Sequence, residues 1–358
     1  MNISIFSKFT YVGGSEFRCV ELANGLSKFT DHTVSLLCQN EKFPKQLSDI
    51  LDKNVKLVTD SLSNPDVFYN SDAILIINSD SREFCTLDFW YGNSVSNYKY
   101  KIDLNKLAGK QMLFLFNFII SPSRNLFQFE KLGIKTSILC TNNKFFNEIS
   151  THDKFDFVRH IPRFIVRSPI DGNKIKYSKR NTDTVTFLSY SKPADSKWNN
   201  QLEEIVAFFD DKYKDSVKFR MMGVKPSLVE KLSKFTNCNI FPENHFTVQE
   251  FLLSGNVFLF MPDYRREEPW ARVIAESMTS GLPIIAYNKG GTQDQVIHGN
   301  NGFLCKDYSD FLSAMMKLTE HKNLITSFGF NSMIYSKEFE SQQVAKYINY
   351  IITSIHEN

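Results

Sequence analysis

The chain has 358 residues, long for a single hydrophobic core, so two domains are expected. With 42% hydrophobic and 23% charged residues it has the make-up of an ordinary globular protein, and a formal net charge of +3 is too small to argue for nucleic-acid binding. Six scattered cysteines, Cys19, Cys38, Cys85, Cys140, Cys238 and Cys305, make no Cys-x-x-Cys pair and no zinc-like spacing, so buried free thiols in a reducing compartment are expected.

Residues 3–7 read as a short apolar strand leading into Gly13-Gly14-Ser15-Glu16, then a helix whose apolar positions Cys19, Leu22, Ala23 and Leu26 recur at i, i+3, i+4 and i+7. Further strands are expected at 33–38, 55–58, 73–77, 112–116 and 136–140, separated by polar or helical stretches. That alternation suggests a parallel sheet covered on both faces. Within this half, residues 84–100 carry Phe89, Trp90, Tyr91, Tyr98 and Tyr100 beside Lys99; such rings suit a sugar face or a membrane interface, and they suit plain packing equally. The apolar run 112–120 is interrupted by Asn117 and is far short of the ~20 residues of a membrane span. The N-terminus goes straight into a strand without a basic region and apolar core, so a cytoplasmic protein without a signal peptide is expected.

The charged stretch 171–183 reads as a linker, and a second alternating series follows with strands at 185–189, 217–221, 239–241, 257–261 and 283–287. The organisation expected is therefore a first α/β domain over 1–170, the linker 171–183, a second α/β domain over 184–338, and a final segment 339–358. In that segment Val344, Tyr347, Ile348, Ile351 and Ile355 share one helical face, as a docked helix requires.

Chemistry concentrates in the second half. Glu268-Pro-Trp-Ala-Arg-Val-Ile-Ala-Glu276 places Pro269 where a helix can begin, keeps Val273, Ile274 and Met278 at helical spacing, and is stopped by Gly281 and Pro283. Carboxylates eight positions apart lie up to ~12 Å apart along a helix, about the length of a nucleotide sugar. One could meet the sugar and the other the ribose hydroxyls. A strand then runs into Gly290-Gly291, where residues without side chains let backbone amides approach an anion at the start of a short helix. The ordinary alternative for any lone Glu-x7-Glu is a solvated helix surface.

In this ordered context the sequence resembles the retaining GT-B glycosyltransferases of family 4, which carry a Glu-x7-Glu motif. The resemblance extends through Gly290-Gly-Thr-Gln-Asp294, Val296, Gly299 and Gly302-Phe-Leu304, with Asp294 in place of the usual Glu. Upstream it includes the Gly13-Gly14 loop and Lys192-Pro-Ala-Asp-Ser-Lys197, where Lys192 stands in place of the family Arg and loses its bidentate fork. The family's Glu-Gly-Phe-Gly is Glu268-Pro-Trp-Ala271 here, and no histidine ends the strand that ends in Phe116-Asn117.

The resemblance implies two Rossmann-like doubly wound domains facing an interdomain cleft, the last helix crossing back to the first domain. It implies metal-independent transfer, with no cofactor, from a UDP-, GDP-, ADP- or dTDP-linked sugar to a glycan or lipid-linked acceptor, with retention. The setting implied is bacterial surface polysaccharide or lipopolysaccharide synthesis, with possible peripheral contact on the inner face of the membrane. Glu268, Glu276 and Lys197 are the catalytic residues it implies. The donor site adds Lys192, Trp270, Ala271, Arg272, Val273, Gly290, Gly291, Gly13 and Gly14, and the acceptor residues are Glu16, Asn117, Trp90 and Tyr91. Two alternatives share the architecture: a sugar-nucleotide epimerase and a non-catalytic subunit that binds an acceptor protein and stabilises a partner transferase. The chain has no Gly-x-Gly and no Asp-x-Asp, which argues against a dinucleotide-dependent dehydrogenase and against the manganese site of the other major glycosyltransferase fold.

Overall fold

The computed structural model describes residues 1–9, 12–77, 102–116, 122, 126–178, 180 and 182–356. The chain divides into two compact units, one formed by Met1–Pro169 with Ser341–Asn358 and the other by Ile170–Glu340.

In the first unit a seven-stranded sheet contains β1 (Asn2–Ser7), β2 (Thr33–Cys38), β3 (Lys56–Val58), β4 (Ala73–Ile77), β5 (Gln111–Phe116), β6 (Lys135–Cys140) and β7 (Arg163–Ile165), in the order 3-2-1-4-5-6-7. Every neighbouring pair is parallel. Along β4 successive side chains point to opposite faces, and both faces are buried: Ala73, Leu75 and Ile77 join one core while Ile74 and Ile76 join the other. That is why these strands read as unbroken apolar runs. Helix α1 (Gly14–Phe29) packs Cys19, Leu22, Ala23 and Leu26 into the first of these cores. Helix α2 (Asn143–Thr151) follows β6, its first turn closed by the Asn142 side chain accepting from the Phe145 amide at 2.8 Å.

The second unit holds β8 (Val185–Tyr190), α3 (Leu202–Lys212), β9 (Val217–Met222), α4 (Pro226–Ser233), β10 (Cys238–Phe241), β11 (Val257–Phe260), α5 (Arg272–Thr279), β12 (Ile284–Tyr287), β13 (Gly302–Cys305), α6 (Tyr308–Glu320) and α7 (Lys322–Ser336). The six strands run in the order 10-9-8-11-12-13, again all parallel. Strand order reverses between β8 and β11, the topological switch point at which open α/β sheets bind ligands beyond their strand ends. Two short strands escape the periodicity reading. β7 has three residues, all half-buried, and β13 opens on Gly302, which looks like a turn in sequence. Gly302 is a glycine because a Cβ there would lie 2.0 Å from the Ile284 carbonyl on β12.

Helix α8 (Ser341–His356) belongs to the first unit, where Val344, Ala345, Ile348, Ile351 and Ile352 enter the same core as α1. The buried stripe is rotated from the expected one: Tyr347 is 40% exposed and Ile352 takes its place. Gly25 sets the approach of α8 to α1, since a Cβ at that position would stand 3.0 Å from the Ser341 carbonyl.

Candidate functional site

The second unit gathers motif residues on the loops that leave β8, β11 and β12. Glu276 lies in the second turn of α5, 6% exposed. One of its oxygens accepts the Tyr190 hydroxyl from the end of β8, and the other accepts Arg272 Nε at 2.7 Å, one turn back on the same helix. Burial, reinforced by the charge and hydrogen bond of Glu276, pushes the Tyr190 phenol well above its ordinary value. The hydroxyl is therefore a permanent donor, and it fixes where the carboxylate points.

Pro269 does not occupy the first turn of this helix. α5 begins at Arg272 with Ala271 as its N-cap. The buried Gln295 amide clamps that cap, accepting the Ala271 N–H at 3.0 Å and donating to the Ala271 carbonyl at 2.9 Å. Pro269 and Glu268 are thereby held in the loop between β11 and α5.

Glu268 is 9% exposed, and its Oε1 accepts from two cations, Lys197 Nζ and Arg266 Nε, the latter at 2.5 Å. Lys197 comes from a 3₁₀ turn, Asp195–Lys197, beyond β8, whereas Arg266 and Glu268 lie beyond β11. Arg266 Nη1 also donates to Ser196 Oγ at 3.1 Å, tying the two loops together. The turn itself is anchored from below by Trp198, which is 1% exposed and donates its indole N–H to the Lys192 carbonyl at 3.0 Å. Lys192 stands exposed at the start of this loop. Beside these groups, a small open recess is lined by Asp263, Tyr264, Arg266, Glu268, Tyr287, Lys289 and Thr292 among others.

The glycine pair has a different physical reason from the expected one. A Cβ on Gly291 would fall 2.0 Å from the Pro269 carbonyl, and one on Gly290, whose φ is +56°, would fall 2.7 Å from the Glu268 carbonyl. The Gly291 amide, expected to meet an anion, donates to the Glu268 carbonyl at 2.8 Å. The two glycines are thus the bed on which the Glu268 loop lies. Trp270, expected at the donor, is 7% exposed and packs edge-to-face on Phe339, ring centroids 4.9 Å apart. Ala271 is buried, and Arg272 and Val273 are half-buried on the first turn of α5.

In the first unit Gly13 is the extended N-cap of α1 and Gly14 its first residue, with no heavy atom within 4 Å of a Cβ built there. Glu16, 3% exposed, accepts Ser15 Oγ at 3.0 Å. Trp90, Tyr91 and Asn117 lie outside the described residues, as does Cys85; the other five cysteines are buried free thiols. Among the described residues no cluster of His, Cys, Asp or Glu could hold a metal ion, and no helix is long and apolar enough to cross a membrane.

Three participants carry no motif. Tyr190 reads as an ordinary strand end, Gln295 as a polar loop residue, and Arg266 disappears into the run Arg265-Arg266-Glu267-Glu268, which resembles a solvated charge cluster. Strand order brings Tyr190 to Glu276, Gln295 reaches the backbone of Ala271, and Arg266 meets Glu268 within one loop.

Residues 174–332 match the sequence model of the family described as Glycosyl transferases group 1. Among curated proteins, spore coat protein SA of Bacillus subtilis (strain 168) is 38% identical over 52 residues, a stretch that spans 14% of this chain and 14% of that relative. Among solved structures, a glycosyltransferase from Rickettsia africae ESF-5 aligns with a TM-score of 0.75 at 13% identity, covering 100% of this chain and 99% of that one. The UDP complex of Anabaena Alr3699/HepE aligns at 0.67 with 14% identity over 99% and 100% of the two chains. WaaG, a glycosyltransferase involved in lipopolysaccharide biosynthesis, aligns at 0.65 with 14% identity over 99% and 100%. At such identities the likeness speaks to fold. The chain has the GT-B fold, two Rossmann-like parallel-sheet units, and the stretch that matches the group 1 glycosyl transferases lies within the second of them.

Proposed function

We propose that this protein is a glycosyltransferase that moves a sugar from a nucleotide diphosphate sugar to a glycan or lipid-linked acceptor, with retention at the anomeric carbon and without a metal ion. The observation that carries the reading is the pairing of Glu268 with Lys197 and Arg266 at the switch point of the second unit, within the stretch that matches group 1 glycosyl transferases. An anionic ligand arriving there meets two cations that, among the described residues, share one carboxylate. The diphosphate takes over Lys197 and Arg266, and Glu268 is released toward the sugar. As the bond to the leaving phosphate lengthens, positive charge develops on the sugar ring and negative charge on the diphosphate. The freed carboxylate stabilises the first and the two cations the second, an arrangement effective because the groups are already in place. Glu276, aimed by Tyr190 and Arg272, accepts hydrogen bonds from the ribose hydroxyls. The acceptor is placed among surface glycolipids or polysaccharides, a reading supported by the lipopolysaccharide role stated for WaaG.

A panel of UDP-, GDP-, ADP- and dTDP-sugars tests this by thermal unfolding followed by product release. A donor at 100 times its dissociation constant adds ~2.7 kcal/mol, which raises the midpoint of a domain this size by roughly 5–10 °C. Turnover is expected to survive EDTA. A panel in which no nucleotide sugar stabilises the protein sinks the transferase reading; turnover abolished by EDTA and restored by one divalent ion sinks the metal-independent mechanism.

A further inference from the structure

Lys225 is the outlier among the charged residues of the second unit. It follows β9, directly ahead of Pro226 at the start of α4, and it is 4% exposed. Lysine is almost never this deeply buried unless it is paired. Among the described residues the carboxylate within ion-pair reach is Asp195, whose Oδ1 stands 3.7 Å from Lys225 Nζ, beyond hydrogen-bonding distance, and whose own side chain is 93% exposed. The pair is one-sided, a buried ammonium against a carboxylate that stands in solvent.

The position of that ammonium gives it meaning. Asp195, Ser196 and Lys197 form a single 3₁₀ turn, and each residue brings a different cation to it: Lys225 faces Asp195, Arg266 bonds Ser196, and Lys197 is the third. Asp263 marks the same place from the β11 loop. Its amide donates to the Ser196 carbonyl at 3.3 Å, and its carboxyl is held below the usual value by hydrogen bonds from Arg265 and then by the charges of Arg265 and Lys225. Lys197 and Arg266 share one buried carboxylate, whereas Lys225 makes its ion pair with the exposed Asp195 and acts on the half-buried Asp263 through charge alone. Three loops, leaving β8, β9 and β11, therefore deliver three positive groups to one turn, and the most deeply buried of them, Lys225, is ion-paired to the most exposed of the carboxylates beside it.

We propose that Lys225 is a third phosphate-binding cation, reserved for the diphosphate of the donor. Asp195 acts as the weak counter-ion that the incoming phosphate displaces. This rests on the donor-site reading above and adds a residue to it.

The test is calorimetric titration of the full chain with the nucleoside diphosphates UDP, GDP, ADP and dTDP, carried out on wild type, Lys225→Met and Asp195→Asn. Methionine retains the length and apolar stem of the lysine without its charge, and Asp195 is exposed enough that its substitution leaves folding intact. Loss of one charge-assisted phosphate contact is expected to weaken binding on the order of 10- to 100-fold in Lys225→Met. Asp195→Asn is expected to tighten it by a few-fold, because a competing negative charge is removed. The opposite signs distinguish a phosphate contact from damage to the fold, and the Asn variant retains its force if the Met variant does not fold. Wild-type binding unchanged by both substitutions, or weakened by Asp195→Asn, overturns the Lys225 assignment and leaves the donor site standing. Failure of wild type to bind any nucleoside diphosphate overturns both.

Discussion

Neutralising Glu268 separates the role of this carboxylate in holding Lys197 and Arg266 from its role in the reaction. In the structure Glu268 retains 9% exposure and accepts from Lys197 and Arg266, whose side chains are 26% and 30% exposed. At an effective dielectric of about 20, each charge pair at ~4 Å is worth about 4 kcal/mol gross. The partial exposure of the cations and the desolvation of the carboxylate cut this to a net value of about 1–2 kcal/mol per pair. Glu268→Gln is therefore expected to destabilise the unliganded protein by roughly 2–4 kcal/mol, a fall in midpoint of some 2–4 °C for each kcal/mol.

Nucleoside diphosphate binding should move in the other direction. Wild type must break the Glu268 pairs before the phosphates can occupy the two cations, and the variant is spared that step. Affinity should rise by about 1–2 kcal/mol, roughly 5- to 30-fold, while turnover falls because no carboxylate faces the sugar in the transition state. Differential scanning fluorimetry, calorimetry with nucleoside diphosphate, and product release measure the three quantities on one preparation. Equal melting and equal nucleotide affinity in the two proteins would refute the exchange of partners. Undiminished turnover would refute the role at the sugar.

Glu276→Gln is expected to weaken nucleoside diphosphate binding by on the order of 10-fold, since it loses charge-assisted acceptance from ribose, and unchanged calorimetry would reject the ribose assignment. Gly291→Ala, whose Cβ would sit 2.0 Å from the Pro269 carbonyl, must displace the Glu268 loop; a loss of about 1–3 kcal/mol by denaturant titration is expected, and wild-type stability would show that the loop yields freely. Burial raises the thiols of Cys19, Cys140, Cys238 and Cys305 from 9.0 to about 12 in the folded chain. Their contribution to stability is therefore complete below pH 9 and lost as pH rises toward 12, because the unfolded thiols ionise first. Denaturant titrations between pH 7 and 11 should show a plateau and then a decline, and a flat profile would contradict it.

The doubly wound pattern was legible because parallel strands buried on both faces must be apolar throughout: 33–38 and 73–77 coincide with β2 and β4 to the residue. β7 and β13 were not legible, being too short for a periodic signal and, in β13, masked by a glycine selected by the neighbouring strand. The start of α5 was misplaced because Pro269 suits a first turn in isolation, whereas the boundary is set by Gln295, twenty-four positions beyond Ala271. In the site, Glu268, Glu276 and Lys197 stand out by spacing, but spacing implies independent duties for them. The contact between Glu268 and Lys197 spans 71 positions and makes them one electrostatic unit, and its third member, Arg266, has no motif at all. Gly290 and Gly291 were conspicuous for a reason that sequence does not distinguish, since close approach of a ligand and close approach of the chain's own backbone both require the absence of Cβ.

The return of α8 to the first unit has a consequence for how the molecule is made. Its residues Val344, Ala345, Ile348, Ile351 and Ile352 complete a core begun by β1 and α1, and Gln111 on β5 donates through its side chain to the Ile352 carbonyl at 2.8 Å. During synthesis, the sheet that emerges first from the ribosome therefore lacks one of its covering layers until α8, whose first residue, Ser341, lies 176 positions beyond Ile165 at the end of the last strand of that sheet. The second unit, continuous from Ile170 to Glu340, has all its own elements before α8 has been translated. Vectorial synthesis would thus finish the later unit before the earlier one, leaving an apolar face of the first sheet in need of protection in the interval. A stop codon ahead of α8 would take core residues from the amino-terminal unit and leave the second unit whole in sequence.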